Sequence, residues 1–176
     1  MKTIKPANSK EDRWYAIYTK SRFEKKINNS LERSGFKTFL PLVKEKRVWS
    51  DRLKTIYTPL LRSYVFVKTS RDQIHNLYYF PGFVRFVSFE GKPCEIKEEE
   101  IALLEKIVVH GFQVETTEEC VVGDDVRIVR GPLKGWTGRV LRKNGKSRIV
   151  FQFENLQQTI CVEVKACNLE KIRHAS

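Results

Sequence analysis

The spacing of apolar residues predicts a strand followed by a helix near the start of the chain. The segment WYAIYT (14–19) is short, aromatic and β-branched, which is typical of a strand. In the next segment Phe23, Ile27 and Leu31 recur every four residues and would form one apolar stripe on a helix. Several basic side chains lie away from that stripe, so we expect the helix to present a cationic surface.

The segments that follow predict an exposed hairpin and two further strands. Two stretches of mixed polarity flank Ser50-Asp51 in KTFLPLVKEKRVWSDRLKTIYTPL, a pattern that predicts a hairpin with a cationic tip. SYVFVKT (63–69) is almost continuously apolar and is expected in the middle of its sheet. FVRFVSF (83–89) predicts another strand, closed by a turn at Glu90-Gly91.

Capping residues indicate where the first two helices begin and end. Ser21 is the expected N-cap of the first helix, and Gly35 is its left-handed stop. Ser70 would cap a short helix over RDQIHNLYY, which Pro81-Gly82 ends. These positions divide the first half of the chain into alternating strands and helices.

A third helix and a change of pattern follow. Three acids, Glu98 to Glu100, would open this helix, where they suit the positive end of its dipole. Its expected buried face consists of Ile101, Leu104, Ile107 and Val108. Residues 110–121 show no consistent period and predict a linker.

The last third of the chain predicts a small all-β domain. VRIVR, RVLRK, RIVFQFE and QTICVEV are strand-like, and CNLEKI would supply a fifth strand. Asn144-Gly145 between the second and third segments is a strong hairpin signal. A domain of about 55 residues with this pattern has the size of a small barrel. The predicted organisation is a flexible N-terminus (1–12), an α+β domain (13–109), the linker (110–121) and the barrel (122–173).

The distribution of charge points to a polyanionic partner. The chain carries a net charge of +12. Residues 1–71 hold 18 basic and six acidic side chains, whereas the remaining 105 residues hold 15 of each. Because the excess is regional, it favours a basic face for nucleic acid over general solubility, although a solvated face without a role is the alternative.

Other chemistry finds little support in the sequence. The four cysteines (Cys94, Cys120, Cys161 and Cys167) lack C-x-x-C spacing, so we interpret them as reduced, half-buried structural thiols without a metal. The chain has no Walker loop, no H-E-x-x-H and no G-x-S-x-G, and no catalytic residue, cofactor or enzyme activity is predicted. No apolar run has the length of a membrane span and the N-terminus lacks a signal-peptide core, so a cytoplasmic protein is expected.

Glycines concentrate in VRIVRGPLKGWTGRV (126–140). At Gly131 and Pro132 the chain would leave one strand. Gly135 and Gly138 would allow a second reversal and a bulge at the start of the next strand. Trp136 lies at the tip of this loop. It could plug one end of the barrel or serve as an exposed anchor for a protein partner.

This stretch resembles the KOW motif, and the segments before it resemble the N-terminal domain of NusG-type transcription factors. WYAIYTKSRFEKKINNSLERSG is similar to the first strand and helix of that domain. PLLRSYVFV is similar to its P-[LF]-[FL]-P-[GN]-Y-x-[FL]-V segment, and FPGFVRFVSFEGKPCEI to the strand and turn that follow. The first helix and Ile74-His75 resemble the specialised RfaH branch more than the housekeeping one. Leu61-Arg62-Ser63 departs from the family, which has Phe-Pro-Gly or Phe-Pro-Asn there.

The resemblance implies the fold class and the function. The fold would be α+β, with an N-terminal antiparallel four-stranded sheet flanked by helices and then an SH3-like five-stranded β-barrel. The chain would be a monomeric elongation factor that binds bacterial RNA polymerase and suppresses pausing and termination, at particular operons such as surface-polysaccharide loci. In RfaH the equivalent domain can refold into helices. The β-branched strands of this chain instead predict a barrel that keeps its fold.

The resemblance also implies which residues meet the polymerase. The apolar concavity of the sheet would grip the β′ clamp coiled coil, although each of these residues could instead be ordinary core. The candidates are Trp14, Tyr15, Tyr18, Leu60, Leu61, Tyr64, Phe83 and Phe86. His75 and Asn76 match the position that touches the β gate loop, with a surface histidine of no role as the alternative.

Two further surfaces are implied for other partners. The first would meet the non-template DNA strand, and its residues are Lys20, Arg22, Lys25, Lys26 and Arg33. In the barrel, Leu133 and Trp136 match the loop by which such factors hold a small-subunit ribosomal protein or Rho. No membrane partner is expected.

Three alternatives stay open at this point. A general housekeeping NusG-like factor would share every segment named above. A ribosomal or RNA-binding protein with a KOW module would explain the charge but not the aromatic N-terminal sheet. An enzyme would need a catalytic constellation, and three consecutive glutamates at 98–100 diverge around a helix by about 100° per residue instead of converging.

Overall fold

The computed structural model describes residues 12–49, 52–117, 123–143 and 146–172. Backbone contacts divide the chain into two compact units, Met1–Ile101 and Ala102–Ser176. The division falls inside the last helix of the α+β region, and the predicted domain limits stay a prediction. The predicted α+β class is confirmed, with differences in the number of strands.

The first unit alternates strands with short helices. Its elements are β1 (Arg13–Thr19), α1 (Glu24–Arg33), β2 (Lys37–Phe39), β3 (Leu42–Trp49), β4 (Arg52–Pro59), β5 (Tyr64–Thr69), a 3-10 helix (Arg71–Tyr79), β6 (Phe83–Phe86), β7 (Ser88–Phe89), β8 (Lys92–Pro93) and β9 (Glu95–Ile96). The helix α2 (Glu98–Val109) begins in this unit and ends in the second one. The predicted helices and strands of this unit are present close to their expected limits, except that the strand predicted over 83–89 is divided into β6 and β7, which belong to different sheets.

The main sheet is antiparallel and has the order β2-β5-β1-β6, with β9 also pairing with β1. It therefore has five strands where four were predicted, because the short β9 completes the ladder beside β6. The apolar strand β5 is central, as expected, and its six residues pair with β1 from Arg13↔Thr69 to Tyr18↔Tyr64. β3 and β4 form the predicted hairpin, while Ser50 and Asp51 lie outside the described residues.

The core of the first unit lies between α1 and one face of the sheet. Ile27 and Leu31 of α1 are fully buried there, as their spacing predicts, whereas Phe23 is only half-buried. The cluster contains Tyr15, Ile17, Ile27, Leu31, Phe36, Val65, Val67, Ile74, Leu77 and Phe86. At 25 cal/mol per Å², burial of each aliphatic side chain contributes about 1.5–3 kcal/mol to folding.

The caps of these helices differ in part from the prediction. Ser21 does not cap α1, because Ser21 and Arg22 form a turn, Arg22 has φ 64°, and Phe23 occupies the N-cap position without a side-chain bond. Ser70 precedes the 3-10 helix but makes no capping hydrogen bond. Gly35 ends α1 with φ 86°, as expected.

The helix α2 buries a face slightly different from the predicted one. Ile101, Leu104 and Ile107 are buried, as expected. Val108 is only half-buried, and Leu103 is buried in addition. The buried stripe therefore follows the i, i+3 spacing from residue 101 to 107 and includes the residue before Leu104.

The second unit is a six-stranded antiparallel sheet of order β10-β14-β13-β12-β11-β15. Its elements are β10 (Val114–Thr117), β11 (Asp124–Ile128), β12 (Thr137–Lys143), β13 (Lys146–Phe153), a 3-10 turn (Glu154–Leu156), β14 (Gln158–Val164), a 3-10 turn (Ala166–Asn168) and β15 (Leu169–Lys171). The five predicted strands are β11 to β15. β12 and β13 pair as far as Lys143↔Lys146, while the predicted turn residues Asn144 and Gly145 lie outside the described residues.

The sixth strand corrects the predicted linker. Residues 114–117 pair with β14 from Val114↔Val162 to Thr117↔Thr159. The open edge of β14 carries backbone donors and acceptors that need partners, and this segment supplies them. The spacing of apolar residues did not predict β10, because an edge strand does not need apolar residues at alternate positions.

Candidate functional surfaces

Two tyrosines and an arginine form an accessible surface at one end of the main sheet. Tyr18 and Tyr64 form the last pair of the β1–β5 ladder, and their rings meet edge to face at 5.3 Å. The guanidinium of Arg85, on β6, lies 5.2 Å from the centre of the Tyr18 ring. Both tyrosines are half-buried and Arg85 is exposed. A partner can therefore reach an aromatic pair beside a fixed cation.

The structure buries five of the eight predicted clamp-binding residues. Tyr15 and Phe86 are core residues at 2% and 3% exposure, and they pack against each other beneath α1. The physical reason is that alternate residues of a strand point to opposite faces, so Tyr15 cannot share the face of Tyr18. Trp14, Leu60 and Leu61 are also buried.

Of the eight predicted residues, Tyr18, Tyr64 and Phe83 keep partly exposed side chains. Phe83 packs against the edge of the core and contacts Tyr78 at 5.0 Å between ring centres. A clamp-binding role for these three residues stays a prediction.

The 3-10 helix presents a second aromatic surface. Ile74 and Leu77 anchor it in the core, while His75 is exposed and Asn76 half-buried. The His75 ring stacks on Tyr78 at 6.2 Å. Sequence reasoning did not single out Tyr78 or Tyr79, although Tyr79 is 86% exposed. The gate-loop role of His75 and Asn76 stays a prediction.

The predicted nucleic-acid residues all have exposed side chains. They are Lys20, Arg22, Lys25, Lys26 and Arg33. Lys25 Nζ donates a hydrogen bond to the carbonyl oxygen of Tyr57 at 2.6 Å, which ties α1 to the β3–β4 hairpin. The Lys26 ammonium lies 5.0 Å from the centre of the Phe23 ring. These contacts hold two of the five cations in place.

A groove between the start of α1 and the hairpin gathers further cations. Arg22, Lys25, Arg47 and Arg62 line it. Two acids, Glu24 and Glu45, also line the groove, and Glu45 accepts hydrogen bonds from Thr58 and Arg47. Sequence reasoning missed Arg47 and Arg62 at this surface because their proximity to α1 depends on how the hairpin folds back.

The hairpin itself exposes apolar side chains among its cations. Val48 and Leu53 are directly opposite each other and are 81% and 70% exposed. Trp49 is half accessible, with the Lys54 ammonium 5.4 Å from its ring. Interleaved aromatic and cationic side chains are the chemistry that proteins use on unpaired bases and phosphates.

A polar cluster ties the start of α2 to the sheet. Trp14 Nε1 donates a hydrogen bond to Glu98 Oε2 at 3.0 Å, and Lys68 Nζ donates to the other carboxylate oxygen. The Lys37 and Lys68 ammonium groups lie 5.8 and 5.9 Å from the centre of the Trp14 ring. The hydrogen bond from Lys68, reinforced by Trp14, holds the pKa of Glu98 below its ordinary value.

The glycine-rich loop of the second unit has positive φ at two of its glycines, but the bulge predicted on entry to the next strand is absent, because Gly138 pairs in regular register with Val126. Gly131 and Gly135 have φ of 89° and 91°. At Gly138 a Cβ would lie 2.6 Å from the Val150 carbonyl oxygen, so no side chain fits between β12 and β13. Backbone bonds from Gly135 to Ile128 and from Ile128 to Trp136, both 2.8 Å, close the loop.

The two loop residues predicted to hold a partner differ in accessibility. Leu133 is 1% exposed, so it fills the interior of this unit, and a direct partner contact through it is not supported. Trp136 is half-buried. A neighbouring cleft of about 540 Å³ is lined by apolar residues that include Phe112, Pro132 and Val164. Trp136 remains the candidate residue of this loop for binding a protein partner.

Cysteines and metals add no further site in the described part of the chain. Cys94 is half-buried, Cys161 buried and Cys167 exposed, all as free thiols, while Cys120 lies outside the described residues. Burial raises the pKa of the Cys94 and Cys161 thiols. The exposure of Cys167 corrects the expectation of half-buried thiols. Residues 12–49, 52–117, 123–143 and 146–172 contain no cluster of metal-ligating side chains, and none of their helices is long and apolar enough to span a membrane.

The first unit carries an aromatic sheet surface and a cationic groove, and the second unit carries a glycine-rich loop. The family model described as transcription termination factor NusG matches residues 12–105. The chain therefore belongs to the NusG family, and it is a transcription termination/antitermination factor of that family.

Individual relatives agree with this family. The transcription termination/antitermination protein NusG of Staphylococcus aureus strain Mu50 / ATCC 700699 is 27% identical over 176 residues, which cover 91% of this chain and 96% of the relative. The same values hold for strain N315. A solved structure described as domain interaction in Thermotoga maritima NusG matches with a TM-score of 0.55 and 22% identity, covering 92% of this chain and 98% of that one, and it supports the fold.

Proposed function

We propose that this NusG-family protein binds the β′ clamp coiled coil of bacterial RNA polymerase and suppresses pausing and termination at particular operons. The observation that carries the proposal is the accessible surface of Tyr18, Tyr64 and Arg85 within the region matched by the family model. Aromatic and arginine side chains are enriched at the centres of protein interfaces. A fixed aromatic pair also loses little side-chain entropy on binding.

Other surfaces supply the remaining contacts of this proposal. His75 and Asn76 on the 3-10 helix would touch the β gate loop, so the protein would bridge the cleft and hold the clamp closed. Lys20, Arg22, Lys25, Lys26 and Arg33 would meet the non-template DNA strand, with a salt-dependent contribution to affinity. Trp136 would hold a small-subunit ribosomal protein or Rho. The protein would act as a monomer in the cytoplasm and without a cofactor.

The test is binding of the full chain to bacterial core RNA polymerase, compared with Tyr64→Ala. We expect Tyr64→Ala to weaken binding at least tenfold, at low and at moderately high salt, because the aromatic contact is not screened by ions. Val84→Ala, on β6 and 48% exposed, is the matched control and should change affinity less than twofold. Binding that is lost at moderately high salt and is equally strong in Tyr64→Ala would contradict the clamp contact.

A general elongation factor is the second candidate, because the curated relatives are named NusG. The two candidates differ in where the protein acts on the genome. Occupancy confined to a few operons supports a specialised factor, whereas occupancy that follows transcribing polymerase on most genes supports a general one.

A further inference from the structure

A buried carboxylate holds the turn that precedes the tyrosine surface. Glu24 opens α1 and is 6% exposed. Its Oε1 accepts the backbone N–H of Ser63 at 2.8 Å, although the two residues are 39 positions apart. We propose that Glu24 is a positioning residue that fixes the Leu60–Ser63 turn and thereby places Tyr64 against Tyr18. The proposal rests on the proposed function in so far as this pair is the polymerase-binding surface.

The backbone of Ser63 needs such support. Its φ is 63°, in the left-handed region that residues with a side chain enter only at a cost. Both of its backbone polar groups are held by other elements. The N–H donates to Glu24, and the carbonyl oxygen accepts the N–H of Thr19 at 2.8 Å. Helix α1 and the end of β1 therefore hold Ser63 from two sides.

The hydrogen bond of Glu24 has ordinary length and lies in a largely buried environment. The Glu24 oxygen accepts the Ser63 N–H at 2.8 Å, and hydrogen bonds are electrostatically stronger inside a protein than in water. A buried carboxylate is costly unless it is hydrogen-bonded, so burial of Glu24 indicates that this contact persists in the folded chain. Glu32, on the same helix, instead has an exposed side chain whose Oε1 accepts bonds from Asn28 and Thr38.

The position of Tyr64 follows directly from that of Ser63. Tyr64 is the first residue of β5, and Tyr18↔Tyr64 is the last pair of the β1–β5 ladder. The chain enters this pair from the preceding turn, in which the Tyr64 N–H donates to the Leu61 carbonyl oxygen at 3.4 Å. Because Tyr64 directly follows Ser63, displacement of Ser63 would move Tyr64 more than any other residue of β5.

The experiment compares Glu24→Ala, Glu24→Gln and the control Glu32→Ala in the full-length chain. Two quantities are measured, namely the nuclear Overhauser effects between the Tyr18 and Tyr64 rings in the free protein and the affinity for core RNA polymerase. Glu24→Ala should abolish these ring signals and weaken binding about tenfold, which corresponds to about 1.4 kcal/mol. Glu24→Gln should keep both, because its amide oxygen can accept the Ser63 N–H, and Glu32→Ala should also keep both.

A double-mutant cycle with Ser63→Gly separates positioning from simple stabilisation of α1. An acid in the first turn also favours a helix through the dipole, an effect indifferent to residue 63. Glycine adopts positive φ without the side-chain penalty, so the turn should depend less on Glu24. We expect Glu24→Ala to weaken affinity less than threefold in the Ser63→Gly background. An equal effect in both backgrounds, or unchanged ring signals in Glu24→Ala, would overturn the proposal.

The two readouts keep this proposal separate from the proposed function. If the unmodified chain does not bind polymerase, the proposed function fails, and the ring signals still decide whether Glu24 positions Tyr64. If binding depends on Tyr64 but the ring signals are unchanged in Glu24→Ala, only the positioning role of Glu24 fails. If the ring signals disappear in Glu24→Gln as well as in Glu24→Ala, the charge matters and not the accepted hydrogen bond, which would also contradict the proposal.

Discussion

At the scale of single residues, two glycines of the first unit have the same backbone requirement but different surroundings. Gly35 and Gly82 have φ of 86° and 96°. A Cβ at Gly35 would meet nothing within 4 Å, whereas a Cβ at Gly82 would lie 2.7 Å from Cδ1 of Phe23. The pair therefore separates the cost of positive φ from the cost of a steric contact.

We predict that Gly82→Ala destabilises the protein more than Gly35→Ala does. The positive φ should cost about 1–2 kcal/mol in each variant. Gly82→Ala should be destabilised by about 1–3 kcal/mol more, because the Phe23 ring must shift. Urea unfolding measures both free energies. Equal destabilisation would show that Phe23 moves away freely.

Glu98 gives a prediction about pH. Its pKa is lowered in the folded chain, so its contribution to stability is present above the ordinary carboxyl pKa and is lost as the pH falls through the lowered value. Because the Glu98 carboxylate is largely exposed, we expect a small effect on unfolding and a clear local one. The indole N–H resonance of Trp14 should shift on acidification, and Glu98→Gln should abolish that titration. A titration that survives in Glu98→Gln would assign the shift to another group.

At the scale of elements, β10 is the part of the structure that sequence pattern did not predict. It pairs with β14, and Arg148 on β13 forms an ion pair with Glu115. Thr116 lies opposite Ile160 in this ladder. The strand supplies backbone partners to an edge that would otherwise be open.

We predict that Thr116→Pro detaches β10 from β14, because proline cannot donate to the ladder and disturbs its neighbours. Amide protons of β14 that face β10 should exchange faster with solvent, while those of the β12–β13 ladder should keep their protection. Thr116→Val keeps the strand propensity and serves as the control. Unchanged exchange in Thr116→Pro would show that this pairing does not exist in solution.

At the scale of the whole molecule, the positive charge is concentrated in one part of the chain. The excess lies in residues 1–71, and five exposed cations of this region occupy or flank α1. Arg47 and Arg62 join them at the groove. A surface of this kind binds nucleic acid mainly through release of counterions, so its affinity must depend on salt.

We predict that replacing Lys20, Arg22, Lys25, Lys26 and Arg33 by alanine lowers single-stranded DNA affinity and flattens its salt dependence. The logarithmic slope should fall by up to about 3.5, at roughly 0.7 for each phosphate that the variant no longer neutralises. The control replaces Arg127, Arg130, Lys134 and Lys165, which are exposed cations of the second unit. Filter binding over a range of salt concentrations measures both. Equal slopes for the two variants would contradict a nucleic-acid face on α1.

The sequence by itself determined most of the elements, the α+β class and the family resemblance. Apolar period and turn residues act locally, so they predicted α1, β5 and the turn at Gly131 before any contact was known. Only the tertiary structure decided which aromatic residues are accessible. Tyr15 and Tyr18 look alike in sequence, but α1 covers one face of the sheet and so buries the first. The contact of Glu24 with Ser63 likewise depends on chain reversals that no local pattern encodes.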